Sequence, residues 1–378
     1  MKLTCLQENL NKGLNIVGKA AAGRTTLPIT NNVLISTDDG RLKLAATNLE
    51  MAISCWIGAK IEEEGSTTVP AKLLTEFVSS LPNDKIDLSL NAKSKALNIK
   101  CARFEARITG VDSKDFPPIP KVENGISTKV SIDAFRQAVS EVVFASAADE
   151  SRPVLTGVNA EFEGSTLTLA AADGFRLAVY KLPLLEAVKT TTKVIIPART
   201  LGELSRLASM DEEEALVINV DTAKSQILFR LKNIELVSQL VQGNFPQYNQ
   251  IIPQSFTTRV VVDANQFLMA TKTATIFARD GGGIVRLMMN PGGDTTPGKL
   301  TISARSEEVG DNTGELDAVI QGEEAKIAFN GKYLLDVLGV LKAQQVALEV
   351  TSPSSPGVIK PVGADNYIHV IMPMFVQW

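Results

Sequence analysis

The sequence predicts an α+β protein in which one unit, running strand, helix, several strands, helix, several strands, is written three times. Three observations predict it. The stretch VPAKLLTEFVSSL at 69–81 returns as IPARTLGELSRLA at 196–208 and as FNGKYLLDVLGVL at 329–341, at spacings of 127 and 133 residues. The copies agree in character at Lys72, Arg199 and Lys332, at Glu76, Glu203 and Asp336, and at Leu74, Leu201 and Leu334. A strand pattern beginning at Gly40, with Leu42 and Leu44, recurs with Leu167 and Leu169 at an offset of 125 and with Leu300 and Ile302 after a further 133. Finally, 378 residues with 44% hydrophobic and 21% charged side chains are enough for a core in each third.

Taken in order, the first third opens with a short β-like run, 2–5, followed by a helix over about 6–19 with Leu6, Leu10, Leu14 and Val17 on one side. Gly13 is unfavourable inside that helix. AAGRTTLP at 21–28 reads as a loop with Arg24 near its tip, and alternation then marks strands around Val33 and Ile35, Leu42 and Leu44, and Met51 and Ile53. The repeated stretch supplies the second helix, with Leu74, Phe77, Val78 and Leu81 on one face and Leu334, Val337, Leu338 and Leu341 on that of the third copy. Strand and helix recur over 128–144, and again from Arg259 through a helix near 264–274. FPPIP at 116–120 and FPQYNQIIP at 245–253 suit neither helix nor central strand, which places unit boundaries at 1–121, 122–253 and 254–378. The glycines at 281–283 and NPGGDTTPG at 290–298 read as loops, and the acidic runs 62–65 and 211–214 as solvated turns.

Cys5, Cys55 and Cys101 fit neither a CxxC metal site nor an even disulfide framework, so they are expected to be small buried residues in a reducing compartment. Without a signal-peptide core or an apolar run of roughly eighteen residues, the chain is expected to be cytoplasmic, with no membrane partner. The net charge of −4 is uneven: 16 basic against 13 acidic residues in 1–121, 12 against 16 in 122–253 and 10 against 13 in 254–378. A polyanion would therefore meet a local basic face on an acidic body.

Catalysis has little support. His369, the single histidine, sits in the apolar context YIHVIM, and GxSxG, HExxH, Walker A and a strand-to-helix GxGxxG are absent. No metal or cofactor is expected. The three glycines at 281–283 could cradle a phosphate but lead into no helix. Recurring cations say more: Lys72, Arg199 and Lys332 on one helix of each unit, Lys12, Arg136 and Lys272 on the other, with Arg206 and Lys342 further along. Each alone could be a solvated side chain; equivalent cations on repeated helices point to one shared polyanionic partner.

With the triple repeat, the motifs GRTTLPI at 23–29, TNLEM at 47–51, VPAK at 69–72, DFP at 115–117, ADGFRLAV at 172–179, GNFPQY at 243–248, NGKYLLDVL at 330–338 and MPM at 372–374 resemble the bacterial DNA polymerase III beta subunit family, the sliding clamps, over essentially the whole chain. The resemblance implies three clamp-type domains per chain, each with two helices packed on antiparallel sheets. Two chains would close head to tail into a six-domain ring around double-stranded DNA, without sequence specificity or catalysis. It implies Arg24, Lys12, Lys72 and Arg199 as DNA-facing residues. It also implies a cleft between the second and third domains that takes short peptides from the DNA polymerase III catalytic subunit, the clamp loader and repair proteins. Carried over, the cleft comprises Leu155, Gly174, Phe175, Arg176, Leu177, Pro246, Asn330, Tyr333, Val370, Ile371, Met372, Pro373 and Met374. At the homodimer seam stand Ile276 and Phe277, facing a strand with Phe104 and Ile108. In two places the chain departs from the family. FVQW follows MPM where a basic residue is common, which predicts a more apolar cleft rim, and glycines 281–283 replace bulkier side chains. A scaffold of the same fold that does not act on DNA is the alternative reading.

Overall fold

The computed structural model describes residues 1–21, 27–91, 95–210, 214–279, 282–293, 296–308 and 310–378. Arg24, the acidic residues 211–213 and Gly281 lie outside the described residues.

In chain order the first elements are β1 (Lys2–Leu6), α1 (Gln7–Val17), β2 (Asn32–Asp38), β3 (Arg41–Thr47), β4 (Met51–Ile57), β5 (Lys60–Glu63), β6 (Ser66–Pro70), α2 (Ala71–Ser80), β7 (Lys85–Asn91), β8 (Ala96–Cys101) and β9 (Phe104–Thr109). There follow β10 (Ile126–Ser131), α3 (Ile132–Val142), β11 (Gly157–Glu163), β12 (Thr166–Ala172), β13 (Arg176–Pro183), β14 (Thr192–Pro197), α4 (Ala198–Ala208), β15 (Ala215–Asp221), β16 (Gln226–Arg230) and β17 (Ile234–Gln239). The last are β18 (Thr258–Asp263), α5 (Ala264–Ala278), β19 (Ile284–Asn290), β20 (Gly298–Ser306), β21 (Gly310–Gly322), β22 (Ala325–Asn330), α6 (Gly331–Val340), β23 (Gln345–Val350), β24 (Gly357–Pro361) and β25 (Tyr367–Ile371). Among the described residues all six α-helices continue directly from a strand, and the strand-plus-helix step recurs twice per third.

The repeated positions are core positions. Leu74, Leu201 and Leu334 are fully buried, as are Leu42, Leu44, Leu167, Leu169, Leu300 and Ile302. Each such side chain contributes about 1.5–3 kcal/mol through burial, so the repeat is first a repeat of packing. Gly13 corrects the expectation drawn from helix propensity: a Cβ there would stand 2.7 Å from the Leu44 side chain, so the glycine lets α1 lie close on β3. Helix α1 is also shorter than expected, because Leu6 belongs to β1 and is 42% exposed.

The chain folds into two compact units. One holds Met1–Asp133, Leu184–Thr190 and Arg199–Leu240, and the other Ala134–Pro183, Thr191–Ala198 and Val241–Trp378. In the first unit a five-stranded sheet has the order β5-β1-β7-β8-β9 and an eight-stranded sheet the order β10-β15-β16-β17-β4-β3-β2-β6. The eight-stranded sheet is joined at its middle by β17 and β4, in register from Ile234 opposite Cys55 to Ser238 opposite Met51. In the second unit a twelve-stranded sheet runs β14-β11-β12-β13-β25-β24-β23-β18-β21-β20-β19-β22. There β13 joins β25, from Arg176 opposite Ile371 to Tyr180 opposite Tyr367. Both joints pair strands of different thirds, and the central third contributes to both sheets.

The three cysteines are buried and unbridged, and burial pushes the Cys5 thiol up to about 12 and that of Cys55 to about 11. Among the described residues no helix is long and apolar enough to cross a membrane.

Candidate functional site

All thirteen residues of the expected cleft belong to the second compact unit. The turn between β12 and β13 is built by Asp173, whose Oδ1 accepts the backbone N–H groups of Phe175 and Arg176 at 2.9 and 3.0 Å. Gly174, between Asp173 and Phe175, has φ +97°, a left-handed conformation that favours glycine. The turn displays Phe175 at 58% exposure and sends Arg176 inward, at 9%.

Arg176 is held from three sides. Its Nε donates to Asp173 Oδ2 at 2.9 Å, one terminal nitrogen to Asp336 Oδ2 at 2.6 Å and the other to the Phe144 carbonyl at 2.8 Å. The guanidinium also lies 4.5 Å from the centre of the Tyr333 ring and 5.3 Å from that of Phe144. A buried cation is tolerable only when so compensated. Arg176 thereby ties the 173–176 turn to α6, which carries Tyr333 and Asp336 on adjoining turns.

The start of α6 is fixed by Asn330, which accepts the Lys332 N–H at 2.9 Å as helix cap. The glycine run before β19 packs on that start, with Gly331 N–H donating to Gly283 O at 2.8 Å. Gly282 and Gly283 have φ of +71° and +76°, and Gly283 N–H closes back on Ala278 O at 2.8 Å. The described glycines are thus the stop of α5.

Beneath the exposed rim, Leu177, Val179, Val358, Val370, Ala170 and Tyr248 form one apolar cluster, with Phe245 and Ile252 packed against it. The segment 245–253, expected as a boundary, therefore covers part of that cluster. Ile371 is fully buried, and Leu155, Pro246, Tyr333, Met372, Pro373 and Met374 retain exposure. Of the carried-over cleft residues, Arg176, Leu177, Val370 and Ile371 thus lie below the surface the others present.

His369 stacks on Phe144 with ring centres 5.4 Å apart, and its Nδ1 stands 3.3 Å from the Tyr367 hydroxyl. Burial, reinforced by the Arg176 charge, lowers its pKa to about 3, so the ring is neutral. Nearby Glu141, 3% exposed, is pushed up by burial, although Gln137 donates to it at 3.0 Å. This agrees with a structural histidine. Sequence reasoning missed Asp173, Asp336 and Phe144. Asp336 had a visible signal, its place in the threefold acid repeat, but nothing local to the sequence tells that it meets Arg176.

The repeated cations behave differently. In the first unit, Lys12, Lys72 and Arg199 are exposed. Lys72 has only a loose i,i+4 contact with Glu76 at 3.9 Å, with both side chains in solvent, which holds little. Arg206 differs from these: its Nε donates to Glu203 at 2.9 Å and its side chain is only 35% exposed, so it is paired within α4. Of the seam residues, Phe104 and Ile276 are each 54% exposed and Phe277 half-buried. Ile108, on β9, is 6% exposed.

Family models for the DNA polymerase III beta subunit match the chain throughout: the N-terminal domain at 1–120, the central domain at 129–247 and the C-terminal domain at 249–375. The beta sliding clamp of Synechococcus elongatus is 32% identical over 378 residues, covering 99% of both chains. A crystal structure of the DNA polymerase sliding clamp from Bacillus subtilis superposes with a TM-score of 0.94 at 29% identity, covering 100% of both chains. A Pseudomonas aeruginosa sliding clamp bound to griselimycin gives 0.91, at 29% identity and the same coverage. The chain belongs to the DNA polymerase III beta subunit family, the beta sliding clamps.

Proposed function

We propose that this family member acts as a DNA sliding clamp, a non-catalytic factor that encircles duplex DNA and tethers the replicative polymerase for processive synthesis. The observation that carries this is the full-length agreement in fold with clamp structures, at a TM-score of 0.94. On this reading two chains close head to tail into a ring of six domains, bounded in each chain near 1–121, 122–253 and 254–378. Lys12, Lys72, Arg199 and Arg24 face the DNA, and Ile276 and Phe277 meet the partner's edge strand at the seam.

The physical logic is topological. A few exposed cations give only about 10⁻⁴ to 10⁻⁶ M non-specific affinity at physiological salt, too weak for lasting attachment and weak enough for sliding. Encirclement supplies the persistence that contact does not. The cleft of the second unit supplies specificity, taking a short apolar peptide from the polymerase catalytic subunit, the clamp loader and other clamp-binding proteins. Its affinity is expected on the order of micromolar, about −8 kcal/mol.

The test is retention on circular against linearised DNA after loading by a clamp loader with ATP. The circle is expected to keep the protein and the linear form to release it from its ends. Equal retention on both would mean contact rather than encirclement.

A further inference from the structure

Segment 375–378 follows the cleft rim, and two backbone hydrogen bonds place the residues just before it. Met372 N–H donates to Phe175 O at 2.8 Å, and Met374 N–H to Ala328 O at 2.8 Å. These bonds carry the chain from the 173–176 turn to β22, the outermost strand of its sheet. Further on, the Trp378 ring centre lies 5.1 Å from Lys326 Nζ, two residues before Ala328 on that strand. The chain is thus held to β22 by the Met374 backbone before Phe375 and by the Lys326–Trp378 contact after it.

Phe375 nevertheless stands 90% exposed, more than any other large apolar side chain described. With Phe175 at 58%, Trp378 at 45% and Met372 at 39%, it prolongs the apolar rim of the cleft beyond MPM. Apolar surface displayed beside a recognition site marks where a partner is covered. Lys326, the cation on this stretch of β22, already holds its ammonium near the Trp378 ring.

We propose that 375–378 is a specificity-determining extension of the cleft, selecting partner peptides with an apolar, preferably aromatic, side chain just beyond the part the cleft holds. The proposal rests on the reading of the cleft as a peptide site. An acidic side chain at that place would lose water against a phenyl ring without gaining the Lys326 ammonium, so the extension both attracts one chemistry and rejects another.

The test is calorimetric titration of the full chain with synthetic peptides: the clamp-docking segment of the cognate replicative polymerase alone, and the same segment extended at either end by Gly-Phe or Gly-Glu. At one end the Phe extension is expected to bind about tenfold tighter than the Glu extension. The ratio should fall to about one in Phe375→Ala and invert in Phe375→Arg, while the bare segment binds all three proteins alike. The same Phe-to-Glu ratio in wild type and Phe375→Ala would overturn the extension and leave the cleft standing. Failure of the bare segment to bind, or binding indifferent to Tyr333→Ala, would overturn the cleft reading and the extension with it. Sedimentation mass that drops in Phe375→Ala would assign the strip to a second copy of the chain and likewise overturn the proposal.

Discussion

The cleft of the second unit and the cationic helices of the first are built to opposite standards. Arg176 spends its donors on Asp173, Asp336 and the Phe144 carbonyl while lying between two aromatic rings. Lys12, Lys72 and Arg199 stand in solvent, and Lys72 has only a stretched contact with Glu76. A site that must recognise one shape is over-determined by its supports. On the proposed reading, a surface that must let DNA pass gains from cations that bind anywhere and hold nowhere.

The largest effect should come from breaking the over-determined side. Arg176→Ala leaves Asp173 and Asp336 without their cation, and is expected to lower stability by about 3–5 kcal/mol in urea unfolding and to abolish calorimetric peptide binding. Arg176→Lys should not restore binding, because an ammonium cannot reproduce the planar fork. A cleft that still bound peptide after Arg176→Ala would show that its supports are dispensable.

The neutral His369 behind Phe144 gives the cleft a pH dependence. Its pKa is depressed from 6.5 to about 3, so the stability it contributes is complete above about pH 6.5 and lost as the pH falls towards 3. Glu141, with a raised pKa, works in the opposite direction, adding stability at low pH that is lost as the pH rises. The histidine alone should cost about 2 kcal/mol between pH 6.5 and 5. Comparison of urea midpoints at those two pH values should show a smaller drop in His369→Gln than in wild type.

At the proposed seam, Ile276→Ala with Phe277→Ala removes apolar area and is expected to weaken the proposed dimer by about tenfold to a hundredfold. Sedimentation at dilute concentration reads this directly. On the cationic side, joint replacement of Lys12, Lys72 and Arg199 by Glu should flatten the slope of log affinity for DNA against log salt by about 3. The unfolding free energy in urea should stay within about 0.5 kcal/mol of wild type. Lys72→Ala alone is the smallest change, with no stability effect beyond about 0.5 kcal/mol.

What could be read in the sequence was local and periodic. Leu74, Leu201 and Leu334 announce buried helix positions through spacing, and all three are fully buried. What could not be read was long-range pairing. The acid of the repeated helix is one position in sequence and three situations in space: Glu76 beside Lys72, Glu203 on Arg206, Asp336 on Arg176. The first two cations lie one turn away in the same helix, and only for Asp336 does tertiary structure alone tell which cation arrives. Gly13 was read as a flaw because propensity knows the helix and not the Leu44 side chain against it.

The pairing of β17 with β4 and of β13 with β25 has a consequence for how such a chain can be cut or recombined. The thirds repeat like beads, yet they are sewn together by hydrogen-bonded seams rather than strung on linkers. Severing the chain near 121 or 253 and separating the pieces would strip β4, β17, β13 and β25 of a partner and bare raw sheet edges prone to aggregation. Swapping thirds between relatives should succeed only when both sides of each seam travel together.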